Sequence, residues 1–203
     1  MDPRLKLYLQ KYKWYERNRF PWRRARMHLL AMRGEFFIRP PVEGNVLEAL
    51  EDGRLRIGAN TLLEPGCWIT IADEGRVTIG EGTFLNKQTM IAAQHEVTIG
   101  DNVMFANSCF ISDSSHRYDD RSMPVTWQGF TSKGPTRIGD NCWFGVNCVI
   151  TTGVTIGERC VVGANSVVTR DLPPGTIAAG APAKVIREIE FTEGEAPAAE
   201  AAG

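Results

Sequence analysis

The chain has 203 residues, 43% hydrophobic and 23% charged, with a formal net charge of -1. That is the balance of an ordinary globular chain, long enough to bury a sizeable core. No apolar run approaches the roughly 18 residues that cross a bilayer, and no apolar stretch follows the N-terminal charges as a secretory leader requires, so a cytoplasmic protein is expected.

The chain opens on a segment of different character. Residues 1–40 hold 11 Lys/Arg against 3 acids, whereas the other 163 residues hold 12 against 21. A basic, aromatic arm thus adjoins an acidic body. Leu5, Leu9, Tyr12, Leu29 and Leu30 fall near helical spacing, interrupted at Pro21. Residues 1–44 are expected to form a basic helical extension, with His28 on its surface. Packing on the acidic body of the assembly is the favoured role. Peripheral contact with an anionic membrane surface or glycan stays open. Basicity without a nucleic-acid motif does not argue for that partner.

From Ile57 a beat of six residues sets in. Large residues pair with small ones four positions later: Ile57 with Thr61, Leu63 with Cys67, Ile79 with Thr83, Leu85 with Thr89, Ile99 with Val103, Phe105 with Cys109 and Ile111 with Ser115. Ile79 and Ile99 are 20 apart rather than 18, and the extra residues fall around His95. His95 therefore marks a surface corner or a place near an acceptor. The beat stops after His116 and resumes at Ile138, leaving a 21-residue insert that carries Tyr118, Trp127 and Phe130. Such a long loop in a compact domain points to use.

Ile138, Phe144, Ile150, Ile156, Val162 and Val168 then follow without a break, four of them trailed by Gly139, Gly145, Gly157 and Gly163. A period of six fits neither a helix nor a long strand. It reads as a short strand plus a turn, three per coil of a parallel β-helix. Glycine beside each large residue suits corners where φ is positive or side chains would collide. Cys67, Cys109, Cys142, Cys148 and Cys160 all take the small slot, so they are core filler and not a metal or disulfide set. Pro173, Pro174 and Pro182 are expected to end the ladder. The chain then passes through a short helix or strand into an acidic low-complexity tail, residues 190–203, expected to be disordered.

The hexads, with the ending "VVGANSVVTRDLPPGTIAAGAPAKVIREI", resemble the hexapeptide-repeat acyltransferases, in particular the maltose and galactoside O-acetyltransferase branch. The resemblance spans residues 45–189. It implies an all-β fold, a left-handed parallel β-helix with an N-terminal helical extension and a long loop inserted after His116. It implies acetyl-CoA as co-substrate, no metal, a sugar or glycan acceptor, and a homotrimer with active sites between subunits. It makes His116 the catalytic residue, places Asn86 at the acceptor, and lines the coenzyme A groove with Trp143, Val146, Ala164, Thr169, Arg170, Lys184 and Arg187. The acceptor-side acid of the galactoside enzyme falls at Gln94 here, and the N-terminal 40 residues depart from that branch's helical cap.

The chemistry is consistent with the residues themselves. Ser115 is expected to fill the last inward slot, so that His116 is the first residue free to face a substrate. A histidine suits proton transfer at neutral pH. Its proton acceptance would let a sugar hydroxyl attack the thioester directly, through an oxyanion that needs N–H donors. Trp127, with Phe130 and Tyr118, is expected to stack on the sugar. Arg170, Lys184 and Arg187 would meet the phosphates of coenzyme A. Asp113 and Asp119 are both candidates to orient the imidazole. Two other functions fit the same fold: acetylation of an antibiotic or amino-sugar nitrogen, and a non-catalytic scaffold.

Overall fold

The structure, a computed structural model, describes residues 20–192. The predicted helix around Leu5, Leu9 and Tyr12 and most of the acidic tail lie outside the described residues. The body is a parallel β-solenoid wound left-handed, the exception to the right-handed rule for parallel crossovers. Each coil lends one short strand to each of three sheets.

Face A stacks Phe37–Ile38, Leu62–Leu63, Phe84–Leu85, Met104–Phe105, Trp143–Phe144, Val161–Val162 and Thr176–Gly180. Face B stacks Glu43–Gly44, Trp68–Ile71, Met90–Ala93, Phe110–Ser112, Val149–Ile150 and Val167–Val168. Face C stacks Leu55–Ile57, Arg76–Ile79, Glu96–Ile99, Thr136–Ile138 and Thr155–Ile156. The hexad explains this register. Each large residue lies on its counterpart one coil away, as Leu85, Phe105, Phe144 and Val162 do on face A. All four are buried, and the rings of Phe105 and Phe144 stack at 4.7 Å. The small slot is buried too. Where it holds a hydroxyl, that group donates to a carbonyl of the next coil, as Thr61 does to Gly80 at 2.6 Å and Thr83 to Gly100 at 2.9 Å. A buried hydroxyl without such a partner would be costly.

The corner chemistry divides between two residues. A Cβ on Gly145 would stand 2.6 Å from the backbone nitrogen of Ala164 in the next coil. The glycine is there for close approach. The positive φ falls two residues later, on Asn147 (φ 60°), in keeping with the tolerance of asparagine for that region.

Several expectations are corrected. Pro21 begins a helix: α1, Pro21–Arg33, has proline in its first turn, where the missing N–H costs nothing. The solenoid also starts earlier than residue 45, because Phe37–Ile38 and Glu43–Gly44 already pair in parallel with the next coil. A second helix, α2, Val46–Asp52, stands where the first coil would turn to face C, and is closed by Gly53 in the left-handed region. Together α1 and α2 cap the N-terminal end, with Met27, Ala31, Val46, Leu47 and Ala49 buried. Ser115 does not fill the inward slot. It is exposed, and Thr136, in register with Val97, is buried in that place. Pro173 and Pro174 do not end the face A ladder, because Thr176–Gly180 still pairs with Val161–Val162. Ala183–Glu188 then returns antiparallel after Pro182, which settles the terminal element as a strand.

Phe144 fills the centre of the stack, so Phe144→Ala leaves a void bounded by rigid coils. Urea unfolding is expected to show a loss of about 3–5 kcal/mol.

Candidate functional site

The inward side chains of the coils form a buried core, so the cavity described next lies on the outside of the prism. One corner departs from the six-residue step, the one leading from face B to face C. Ile150 to Ile156 takes the regular six, whereas Ile69 to Ile79 takes ten, Ile91 to Ile99 eight and Ile111 to Ile138 twenty-seven. In the first coil, Gly44 to Ile57 accommodates all of α2. Four successive coils thus bulge on one edge, and their bulges form the walls of a cavity of about 980 Å³.

The floor of the cavity is the outer surface of face B, where Trp68, Met90 and Phe110 stand in register and Thr70 and Ala92 stand beside them. One end is closed by Asn45, Glu48 and Arg54, and the edge by Asp73, Glu74, Gln94 and His95. Ser114, Ser115, His116 and Phe130 make the other end. The mixture of a large apolar floor with a few convergent polar groups is that of a small-molecule site.

His116 is held by the first strand of the long insert. Ser115–His116 pairs antiparallel with Phe130–Thr131, and the imidazole lies 4.5 Å, centroid to centroid, from the Phe130 ring. Arg117 N–H donates to the Gly129 carbonyl at 3.0 Å, closing the hairpin one residue further out. Beyond it the amide of Gln128 ties the loop together, accepting from Asp120 N–H and donating to the carbonyls of Asp120 and Met123.

The base of this hairpin rests on Asp113, which is fully buried. Its carboxylate accepts three backbone N–H groups, from Gln94 at 2.8 Å and from His95 and Glu96 at 2.6 Å each. Its carbonyl accepts the hydroxyls of Ser132 at 2.6 Å and Thr152 at 2.5 Å. A charge this deep is tolerable only when so many dipoles converge on it. Asp113 therefore sets the chain path rather than the imidazole, and it welds the His95 corner to the root of the His116 hairpin. Asp119 pairs with Arg117 at 3.3 Å.

At the far end of the cavity, α2 is fastened to the corner of the second coil. The Asn45 side chain donates to the Ile71 carbonyl at 2.7 Å and accepts from Ile71 N–H at 2.9 Å. Arg54 donates to the carbonyls of Ile71 and Ala72 and to Asp52. The hydrogen bond from Arg54 holds the Asp52 carboxyl below the usual range. Glu48 accepts from Arg23 at 2.5 Å through one oxygen, while its other oxygen is buried with no hydrogen-bond partner.

The residues expected in the site separate into groups. His116 and Phe130 line the cavity, and so does His95, the sequence having left its place open. Trp127 is half-buried in a short turn of the loop, and Tyr118 is exposed; neither lines the cavity. Asn86 sits at the corner between faces A and B, also off the cavity, with its side-chain oxygen accepting Lys87 N–H at 2.9 Å. Trp143 stands outward on face A, with Val146 and Ala164 exposed at the next corner. Lys184 and Arg187 are exposed on the last strand. Thr169 and Arg170, also exposed, follow the face B strand Val167–Val168, two coils beyond Ser112. Within one chain the groups expected at coenzyme A thus occupy the C-terminal coils and two separate edges. Trp68, Gln94, Glu48 and Asp73 are cavity residues that hexad counting does not single out. The ten-residue step from Ile69 to Ile79 was a signal that could have found the corner. All five cysteines are buried and outside the cavity, and burial pushes the Cys67 thiol up to about 12.

Residues 135–170 match the family model described as the hexapeptide repeat of succinyl-transferase. The galactoside O-acetyltransferase of Escherichia coli is 38% identical over 133 residues, 66% of this chain and 63% of that protein. The putative colanic acid biosynthesis acetyltransferase WcaF of Escherichia coli is 30% identical over 138 residues, 68% of this chain and 71% of that protein. Among solved structures, a hexapeptide-repeat acetyltransferase of Vibrio cholerae in complex with acetyl coenzyme A superposes with a TM-score of 0.62 at 30% identity, covering 84% of this chain and 88% of that one. The chain spans between 45% and 63% of the length of the first two curated relatives it matches.

Asp113→Asn replaces an acceptor oxygen by a donor that faces N–H groups. A stability loss of about 1–3 kcal/mol is expected, with faster protease cleavage in the loop between His116 and Phe130 than in the rest of the fold.

Proposed function

The chain belongs to the hexapeptide-repeat acyltransferases of left-handed β-helix fold, and on that premise we propose that it transfers an acetyl group from acetyl-CoA to a hydroxyl of a sugar or surface glycan. The observation that carries the reading is the cavity on face B, which gathers an aromatic floor and an exposed histidine on the one edge where four coils bulge. A sugar face suits Trp68 and Phe110, and its hydroxyls suit Thr70, Ser112 and Gln94.

His116 is the general base. The imidazole takes the proton of the acceptor hydroxyl as that oxygen attacks the thioester carbonyl. The C–S bond then breaks, and the thiolate of coenzyme A leaves with the proton returned by the imidazolium. No covalent enzyme intermediate is needed. The residues assigned to coenzyme A fit a long, anionic ligand: Trp143, Val146 and Ala164 are exposed surface for the pantetheine arm. Lys184 and Arg170 enter none of the ion pairs of the described residues, so both charges are available to phosphates. A cytoplasmic location suits acetyl-CoA as the donor.

The outer surfaces of the three faces support a ring of subunits. Face A turns Leu62, Phe84, Met104, Trp143, Val161 and Ile177 outward in one register, and face B, past the cavity floor, turns Val149 and Val167 outward. Face C turns out Arg56, Thr78, Thr98, Arg137 and Thr155 instead. Two apolar stripes beside one polar face fit a heterologous contact, face A on a neighbour's face B, that closes into a ring. We read the ring as a trimer. It brings the Trp143 side of one chain against the cavity side of the next, which unites groups that one chain holds apart.

A second reading, transfer to an amino nitrogen, is favoured by the three carboxylates Glu48, Asp73 and Glu74 that line the cavity. An acceptor panel of matched neutral and amino sugars separates the two.

His116→Ala is expected to lower turnover by about 10²–10⁴ with acetyl-CoA binding retained in calorimetry; near wild-type turnover would remove the assignment. In sedimentation velocity the protein is expected to run as a trimer, with Met104→Glu on face A and Val149→Glu on face B each shifting it to monomer. A monomeric wild type would rule out a site shared between chains.

A further inference from the structure

The solenoid is polar along its axis. The acceptor cavity occupies the N-terminal coils and ends against α2, whereas the groups assigned to coenzyme A occupy the C-terminal coils. The N-terminal end is closed by α1, and α1 is unusual for a capping helix. Its inner side is ordinary, with Met27 and Ala31 buried and Arg23 and Arg26 paired to Glu48 and Glu51 of α2. Its outer side carries Trp22, Ala25, Leu29 and Met32, at helical steps of three and four residues, all exposed. Trp22 is 61% and Met32 77% exposed, and Phe20 just before the helix is 53% exposed. Water does not favour a stripe of large apolar side chains on one helix face.

The charge around that stripe says what covers it. Arg33 lies on the same outer face and is exposed. The 19 residues that lead into Phe20 contain Arg4, Lys6, Lys11, Lys13, Arg17 and Arg19 against two acids, together with Leu5, Leu7, Leu9, Tyr8, Tyr12 and Trp14. Basic residues alternating with aromatic and aliphatic ones are the composition of an interfacial anchor. Residues 41–203 carry a net negative charge, with 12 Lys/Arg against 21 acids, so the charge balance of the chain favours this end toward an anionic surface.

We propose that the outer face of α1 docks the protein on an anionic lipid bilayer, N-terminal end down. The acceptor end of the cavity then faces the membrane and the donor end faces the aqueous phase, as suits a glycan carried on a lipid. The purpose rests on the acyl-transfer reading above; the binding does not. In a ring of parallel solenoids, each subunit presents its α1 at the same end, so the weak anchors act together.

The test is retention of the full-length protein on vesicles of equal parts phosphatidylglycerol and phosphatidylcholine, against vesicles of phosphatidylcholine alone. Retention is expected on the anionic vesicles only, and should weaken as salt rises. Arg33→Glu is expected to weaken it by about thirtyfold, as two charge steps at such a surface would. The triple variant Trp22→Ser, Leu29→Ser, Met32→Ser is expected to weaken it by more than about tenfold, while acetylating a soluble acceptor at the wild-type rate. His116→Ala is expected to bind vesicles as well as wild type, so the two proposals fail separately. Equal retention on both vesicles, no retention on either, or variants that bind as wild type would overturn the docking. So would a change of oligomeric mass in the triple variant, which would make the stripe a contact between subunits.

Discussion

Everything in this structure depends on the register between stacked coils. The strands, most of them two to four residues, are too short to hold together alone. They hold because each large residue lies on its counterpart in the coils before and after it, and because small slots let the corners close. Phe105 on Phe144 shows how tight the fit is. One residue added on a face would turn an inward side chain out and propagate through the stack. Additions are tolerated only at a corner, and this chain uses the corner between faces B and C four times running. The site is the consequence: the bulges cannot point inward, so they stand along one edge and enclose the outer surface of face B.

The longest of these bulges shows how a loop is added without losing the stack. The chain leaves the prism after Ser112 and returns at Thr136, whose hydroxyl donates back to the Ser112 carbonyl at 2.9 Å. Between them stands Asp113, buried, gathering the amides of the preceding coil's bulge. That makes the two bulges one unit. The positions of His95 and of the His116 hairpin are both consequences of where one carboxylate lies, and neither imidazole needs a carboxylate partner to be held in place.

What could be read from the sequence was whatever repeats. The hexads name inward residues in every coil from Ile57 onward, though not Ile69 or Ile91 on face B, and account for all five cysteines. The break after His116 is visible for the same reason. The first coil was not, because Gly44 stands where the next four coils have isoleucine on face B, and α2 is inserted before its face C strand, Leu55–Ile57. Val46, Leu47 and Ala49 give too short a pattern to mark a helix beyond doubt, although Gly53 in the left-handed region is the stop signal. Ser115 was misplaced for an instructive reason. Counting assumes that the chain stays on the prism until the count ends, and here it leaves three residues sooner. Periodicity has no means of seeing a slot refilled by Thr136, 21 residues later.

The division has a chemical meaning. Trp143, Val146 and Ala164, assigned to the donor, all lie in the unbroken run of hexads, where each coil of this chain can be laid on the next residue by residue. The cavity walls, from Glu48 through Asp73 and His95 to Phe130, lie in the bulges, whose lengths differ from coil to coil and whose positions have no counterpart to count from. A common donor therefore belongs with the regular coils, and acceptor choice belongs with the irregular edge. On the function proposed above, the identity of the acceptor rests with the contacts of four bulges: a carboxylate-bearing helix, two short corners and one aromatic hairpin. It also explains why Trp127, taken from the middle of the longest bulge, was a weaker guess than Phe130. A residue at the root of a hairpin is fixed by the strand it pairs with, and Phe130 pairs with His116 itself.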